Sequence, residues 1–163
     1  MDTTHLRFGS GQAVRRLEDE QLLRGHGQYA DDVVLAGQTR LAFLRSPYPH
    51  ANIRSIDTSA AQAMPGVHLV LTFADLPPPA QKPLTLLVPN PAITQLFTPV
   101  VLANSEVCYA GEPVAMVVAE SRHIAEDAAA LVEIDYEPLP QIVDPQLAMD
   151  PQAPLVHPDH GTN

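Results

Sequence analysis

Residues 106–140, EVCYAGEPVAMVVAESRHIAEDAAALVEIDYEPLP, decide the fold of this chain, because they combine a buried strand, a capped helix and a second strand. Residues 113–119 are almost entirely apolar, which is typical of a central strand covered on both faces. Ser121 follows, and its hydroxyl is suited to accept the first free N–H groups of a helix over residues 122–131. Residues 132–136 return as a strand. We therefore expect a strand–helix–strand unit here.

Apolar residues recur along the helix of this unit at the spacing of one helical face. We expect that face, which should pack on the sheet, to consist of Ile124, Ala128, Leu131 and Val132.

A second strand–helix–strand unit is predicted upstream. Residues 51–57 alternate between apolar and polar, as a half-buried strand does, and residues 67–73 form an apolar strand. A short helix is expected over residues 58–64, capped by Asp57, Thr58 or Ser59. Ser59 and Gln62 have the spacing of a capping box. Pro65-Gly66 should end the helix. Further strands are expected at residues 33–35, 39–44, 100–102 and 107–109, with a turn at Gly37 between the first two, and a weak helical turn at Leu17, Leu22 and Leu23 should end at Gly25 or Gly27.

The predicted organisation is one α+β domain with a mixed sheet, flanked by two irregular segments. Residues 1–30 are expected to be an N-terminal arm, residues 31–140 the domain, and residues 141–163 a connector. Residues 77–100 contain seven prolines and should leave the sheet as a surface excursion. Its apolar residues are too many for a solvated linker, so we expect them to pack on this domain or on a partner: Leu84, Leu86, Leu87, Val88, Ile93, Leu96 and Phe97.

Composition excludes several functions. The chain has 163 residues and a formal net charge of −10, from 19 acidic and 9 basic residues, which argues against nucleic acid and anionic membranes as partners. No apolar run approaches the length of a membrane span. The Arg15-Arg16 pair is followed by charged residues rather than an apolar segment, so it is not read as an export signal, and we expect a cytoplasmic protein.

No catalytic, cofactor-binding or metal-binding residues are predicted. Cys108 is interpreted as a small buried residue, and His50 as a loop histidine bonded to the backbone. His157 and His160 are read as part of a surface tail rather than as metal ligands. The acidic clusters Glu18-Asp19-Glu20, Asp31-Asp32 and Glu126-Asp127 are expected on solvated faces, and the two G-x-G fragments at Gly9 and Gly25 lack the third glycine of a nucleotide loop.

Four blocks of the chain, in order, resemble the start of the large subunit of the molybdenum hydroxylases, the family of xanthine dehydrogenase, aldehyde oxidase and carbon monoxide dehydrogenase. The blocks are VRRLEDEQLLRGHGQYADD (14–32), RSPYPHANIRSIDTSAAQAMPGVHLVLTFADLP (45–77), CYAGEPVAMVVAESRHIAEDAAALVEIDYEPLP (108–140) and APLVHPDHGTN (153–163). The opening block is most similar to the carbon monoxide dehydrogenase-like bacterial branch.

The resemblance implies an α/β hammerhead domain within an enzyme that hydroxylates a carbon centre or oxidises carbon monoxide. The molybdopterin or molybdopterin cytosine dinucleotide of such a host would lie in molybdenum-cofactor domains beyond this chain, and its iron–sulfur clusters and FAD on partner subunits or domains. The catalytic residues of the family have no counterpart here. What the resemblance transfers is a structural role, in which inter-domain contacts are expected at Arg45, Ser46, Pro47, Tyr109, Gly111, Glu112 and Pro113.

Three functional hypotheses remain. The chain could be a structural and docking domain of a molybdenum hydroxylase, a freestanding protein-interaction module without activity, or an autonomous small enzyme. The missing catalytic constellation disfavours the third.

Overall fold

The computed structural model describes residues 15–85, 88, 90–93 and 98–163, and it divides into two compact units with a boundary between Gln38 and Thr39. In the first unit, helix α1 (Asp19–Leu23) ends before Gly25, whose φ is 72°, as predicted. A 3₁₀ helix follows at Ala30–Asp32. The predicted strand at residues 33–35 is wrong: the segment is irregular, and Val34 and Leu35 are mostly exposed because no strand of the described chain pairs with it.

The second unit contains all six strands of the described chain. Its regular elements are β1 (Arg40–Arg45), β2 (Ala51–Asp57), α2 (Ser59–Gln62), β3 (Val67–Thr72), β4 (Glu106–Val107), β5 (Pro113–Ala119), α3 (Arg122–Ala130) and β6 (Glu133–Pro138). Short 3₁₀ turns follow at Phe73–Asp75, Leu147–Met149 and Pro158–His160. The second of these lies in the predicted connector, residues 141–163.

The strands form two three-stranded sheets, in the orders β1-β5-β3 and β4-β2-β6. The predicted α+β fold with two strand–helix–strand units is confirmed, and β5 is a central strand as expected. Every pair is antiparallel, so the strands divide between two antiparallel sheets rather than one mixed sheet. Each strand–helix–strand unit has one strand in each sheet. The first strand of one such unit pairs with the last strand of the other, β2 with β6 and β5 with β3, so the two strand–helix–strand units interlock.

Helix α3 covers one face of the β1-β5-β3 sheet. Ser121 caps it, since its Oγ accepts the N–H of Ile124 at 3.2 Å. The buried residues of the helix are Ala125, Ala128 and Ala129, and the last two belong to one apolar cluster with Val70 and Val117 of the sheet. The predicted helical face is therefore partly wrong: the helix ends at Ala130, so the periodicity does not extend to Leu131, which is 44% exposed.

A second apolar cluster lies between β5 and the β4-β2-β6 sheet. Its buried members are Ala51, Ala103, Val107 and Val114, and Ile56 and Ile134 pack against both clusters. The predicted strand at residues 100–102 is wrong. That segment is a loop whose Leu102 is fully buried, and it is followed by Ala103, whose N–H donates to the carbonyl of Pro113 at 2.8 Å. The segment is apolar because Leu102 is buried, and this apolar character, rather than strand pairing, made its sequence resemble a strand.

The Pro-rich excursion is irregular where the structure describes it. One hydrogen bond closes its residues 84–99 into a loop, because the N–H of Leu84 donates to the carbonyl of Pro99 at 3.0 Å. Val88 and Ile93 are exposed, as is Leu84. Leu86, Leu87, Leu96 and Phe97, four of the residues predicted to pack, lie outside the described residues. Among the described residues, none of the helices combines the length and apolar character that a membrane span requires.

Candidate functional site

The residues predicted to make inter-domain contacts come together at the ends of two paired strands. Residues 45–47 leave β1 and residues 109–113 lead into β5, and we call these two segments the loop pair. Three hydrogen bonds join them: Ser46 N–H to Glu112 O at 2.8 Å, Gly111 N–H to Ser46 O at 2.8 Å, and Arg45 Nη1 to Gly111 O at 2.9 Å. Arg45 also pairs with Pro113 in the sheet register. Two segments 66 residues apart in sequence therefore form one structure.

The side chains of Ser46 and Glu112 are buried and stabilise the loop pair by hydrogen bonds to nearby backbone groups. They are only 3% and 7% exposed. The Ser46 hydroxyl accepts the N–H of Tyr48 and donates to its carbonyl, both at 3.0 Å. The Glu112 carboxylate accepts the N–H of Cys108 at 2.6 Å. Burial raises the pKa of Glu112, and the N–H groups of Cys108 and Tyr109, together with His157, offset part of that increase.

The turn of the loop pair depends on glycine at position 111. Gly111 has a φ of 91°, where residues with a side chain are strained. A Cβ at this position would have no neighbour within 4 Å among the described residues, so space is not the constraint. The backbone conformation alone requires glycine here.

The other side chains of the loop pair face solvent. Tyr109 is 47% exposed, and Pro47 and Arg45 are exposed as well. The guanidinium of Arg45 lies 5.6 Å from the centre of the Phe43 ring, a cation–π distance. The loop pair is thus a hydrogen-bonded structure that exposes the guanidinium of Arg45, the ring of Pro47 and the phenol ring of Tyr109.

His50 is a buried structural residue next to this site. Its side chain is 6% exposed, with Nδ1 2.8 Å from the carbonyl of Pro140 and Nε2 2.6 Å from a carboxylate oxygen of Glu106. The predicted backbone bond is therefore present. The sequence interpretation missed Glu106, because nothing in the spacing of residues 50 and 106 shows that β2 and β4 are neighbours.

Cys108 is a protected thiol. Burial raises its pKa to about 11, and the charges of Glu106 and Glu112 add to the effect. Its sulfur lies 4.0 Å from Nδ1 of His157, whose ring contacts that of His160 edge-on with 5.9 Å between centres. Both histidines are partly buried, so this end of the chain returns to the domain instead of forming a surface tail.

No catalytic arrangement is found within the described ranges. Asp31, Asp32, Glu126 and Asp127 are exposed, as the sequence predicts. The part of the chain that the structure describes contains no group of three or more His, Cys, Asp or Glu residues able to hold a metal ion. The buried polar residues there, Ser46, His50 and Glu112, all make hydrogen bonds within the fold.

Comparison with protein families gives a match over residues 24–140 to "Aldehyde oxidase and xanthine dehydrogenase, a/b hammerhead domain". The carbon monoxide dehydrogenase large chain of Afipia carboxidovorans is 48% identical over 152 residues, which cover 93% of this chain and 18% of that protein. The nicotine 6-hydroxylase large subunit of Paenarthrobacter nicotinovorans is 46% identical over 137 residues, 83% of this chain and 16% of that protein.

Solved structures show the same similarity in three dimensions. The Cu,Mo-CO dehydrogenase in its carbon monoxide reduced state superposes with a TM-score of 0.76 at 46% identity, over 89% of this chain and 17% of that chain. This chain therefore spans less than a fifth of the length of each of these proteins.

Proposed function

This chain belongs to the aldehyde oxidase and xanthine dehydrogenase family, as an a/b hammerhead domain of the large subunit, and on that premise we propose that it acts as a structural and docking domain of a molybdenum-cofactor-dependent hydroxylase. It carries no catalytic residue in this proposal. Its role is to hold the cofactor domains of the same subunit, and through them the partner subunits, in position.

The loop pair is the observation that carries the proposal. The backbone groups of Ser46, Gly111 and Glu112 bind the two loops to each other. Arg45 and Tyr109 are exposed to solvent on these joined loops. Aromatic residues and arginine are enriched in protein interfaces, because both bury a large contact area with directional polar groups. We infer that Arg45, Pro47 and Tyr109 contact the cofactor domains, while Ser46, Gly111, Glu112 and Pro113 shape the loops.

The donor set of the described residues does not fit a molybdenum cofactor. They offer no cluster of metal ligands, and the buried side chains of Ser46, His50 and Glu112 are already hydrogen-bonded to backbone groups, that of His50 also to Glu106. We therefore assign molybdopterin, in either form, to the rest of the host subunit, and iron–sulfur clusters and FAD to partner subunits or domains. We propose a cytoplasmic location for the assembly.

The test is affinity purification of the tagged chain from its source cell, followed by mass spectrometry and molybdenum analysis. We expect a molybdenum-containing polypeptide, either continuous with this chain or copurifying in a one-to-one ratio. Recovery of the chain with no molybdenum polypeptide would overturn the docking role and favour the freestanding module. Molybdenum bound by the 163-residue chain alone would also contradict the proposal.

A matched pair of variants then tests the loop pair. Tyr109→Ser should weaken retention of a separate molybdenum-containing polypeptide, or make a continuous one more sensitive to limited proteolysis, because it removes an exposed ring from the proposed contact. Leu131→Gln is the control, since Leu131 is similarly exposed at 44% but lies at the end of α3. Equal behaviour of both variants in the assay that applies would exclude Tyr109 from the contact.

A further inference from the structure

The β1-β5-β3 sheet carries apolar side chains on both faces. One face packs on α3. The cross-strand register places two rows of three residues on the opposite face: Phe43, Met116 and Leu71, and Leu41, Val118 and Leu69. We call these six residues the outer face. Leu41 is 50% exposed, Phe43 41% and Leu69 44%, while the other three are partly buried by their neighbours.

The outer face departs from the pattern of a solvated sheet. An antiparallel sheet with one face in water normally alternates apolar and polar residues. Strand β6 of this chain follows that rule, because Glu133 and Asp135 are exposed while Ile134 and Tyr136 are partly buried. Strands β1 and β3 place leucine and phenylalanine at their outward positions instead. The difference within one chain indicates that the outer face is covered in the working protein.

The charges around the outer face limit what covers it. The chain has 19 acidic residues, yet β1, β3 and β5, all fully described, contain none. The charged group on this face is the guanidinium of Arg45, which lies over Phe43. A fitting partner is therefore apolar and carries a carboxylate opposite Arg45.

The size of the outer face argues against a separate molecule. Six residues are far fewer than the roughly 20–30 per side of a standard interface between free proteins. A partner joined through the same polypeptide needs much less contact, because its effective concentration reaches about the millimolar range. The relatives carry more than four-fifths of their length outside the matching segment.

We propose that the outer face is the seat of an apolar segment from the remainder of the host large subunit, with a carboxylate of that segment paired to Arg45. This inference rests on the proposed function and deepens it by naming the surface and the chemistry of its partner. Arg45 belongs to both the loop pair and the edge of the outer face, so the two form one continuous contact surface.

Methionine oxidation in the intact host subunit tests whether the face is covered. Met116 lies at the centre of a row, and Met149 is 83% exposed and serves as the internal reference. With limiting peroxide, we expect Met116 to oxidise at least about tenfold more slowly than Met149. The double variant Leu41→Gln, Leu69→Gln should remove much of this protection, and Leu131→Gln should not. Equal oxidation of the two methionines in the unmodified subunit would overturn the inference, and the purification test of the docking role would be unaffected.

Cross-linking identifies the occupant and does not depend on the double variant folding. Arg45→Lys places an amine at the edge of the face, where a carbodiimide can join it to a carboxylate in contact. We expect the cross-link to reach an acidic residue in the remainder of the same large subunit. A cross-link to a second copy of this chain, or to another subunit, would assign a different occupant and overturn the proposal, as would the absence of any cross-link at this position.

Discussion

The imidazole of His50 and the carboxylate of Glu106 lie 2.6 Å apart, although 56 residues separate them in sequence. The other ring nitrogen of His50 contacts the carbonyl of Pro140 at 2.8 Å. One buried side chain, directly before β2, therefore contacts strand β4 and the segment that follows β6.

Replacing His50 should destabilise the chain. His50→Ala removes two hydrogen bonds of a buried side chain, each contributing about 0.5–1.5 kcal/mol, so we expect the free energy of unfolding to fall by about 1–3 kcal/mol. Denaturant titration measures this. His68→Ala is the control, since His68 is exposed in β3 and should change stability by less than about 0.5 kcal/mol. Equal midpoints for the two variants would contradict the structural role of His50.

Glu112 should give the stability of the chain a particular pH dependence. Burial raises its pKa above the ordinary value of 4.5, so the folded chain holds this proton to a higher pH than the unfolded chain does. Its stabilising contribution is therefore complete below pH 4.5 and is lost as the pH rises through the raised pKa. Glu112→Gln lacks this titration. The difference in unfolding free energy, wild type minus variant, should decrease as the pH is raised from 4 to 7, and a rising difference would show that the pKa is lowered.

Cys108 should react slowly in the folded chain. With a pKa of about 11, only about a thousandth of the thiol is ionised at pH 8, roughly two hundredfold less than for an unperturbed cysteine. We expect the rate of disulfide exchange with an aromatic disulfide reagent to be at least about a hundredfold below that of free cysteine. The chain unfolded in guanidinium serves as the control and should react at the ordinary rate. Fast labelling of the folded chain would contradict the burial of this thiol.

Two glycines with positive φ should tolerate alanine differently. Gly111→Ala meets no neighbour among the described residues, so we expect only the backbone cost of about 1–2 kcal/mol. Gly66→Ala adds a steric conflict, because its Cβ would lie 2.9 Å from Cδ1 of Ile124. Denaturant titration should show that Gly66→Ala is the more destabilising of the two. If Gly111→Ala were the more destabilising variant, Ile124 would have to move aside freely at position 66. The loop pair would then have to be less tolerant of a side chain at position 111 than its geometry shows.

Local chemistry made much of this fold predictable. Ser121 caps α3 as expected, and strands β2, β3 and β5 begin at or next to their predicted residues. The predicted strands at residues 33–35 and 100–102 failed for opposite reasons. Val34 and Leu35 have apolar side chains, but no strand among the described residues pairs with them, whereas Leu102 is buried without pairing. An apolar run shows that a segment can be buried, but pairing depends on a second strand elsewhere.

The amino-acid sequence by itself determined the strand–helix–strand units, the Ser121 cap of α3 and the family, because those depend on short-range spacing and on the order of recognisable blocks. The capping box predicted between Ser59 and Gln62 is not formed, because α2 begins at Ser59 and its N-cap Thr58 makes no side-chain cap hydrogen bond. Only the tertiary structure decided that Arg45 and Gly111 share a hydrogen bond, that His50 meets Glu106, and that the β1-β5-β3 sheet leaves an apolar face open. Those relationships depend on which strands become neighbours. Which strands pair is set by the packing of the whole core, and no local sequence pattern encodes it.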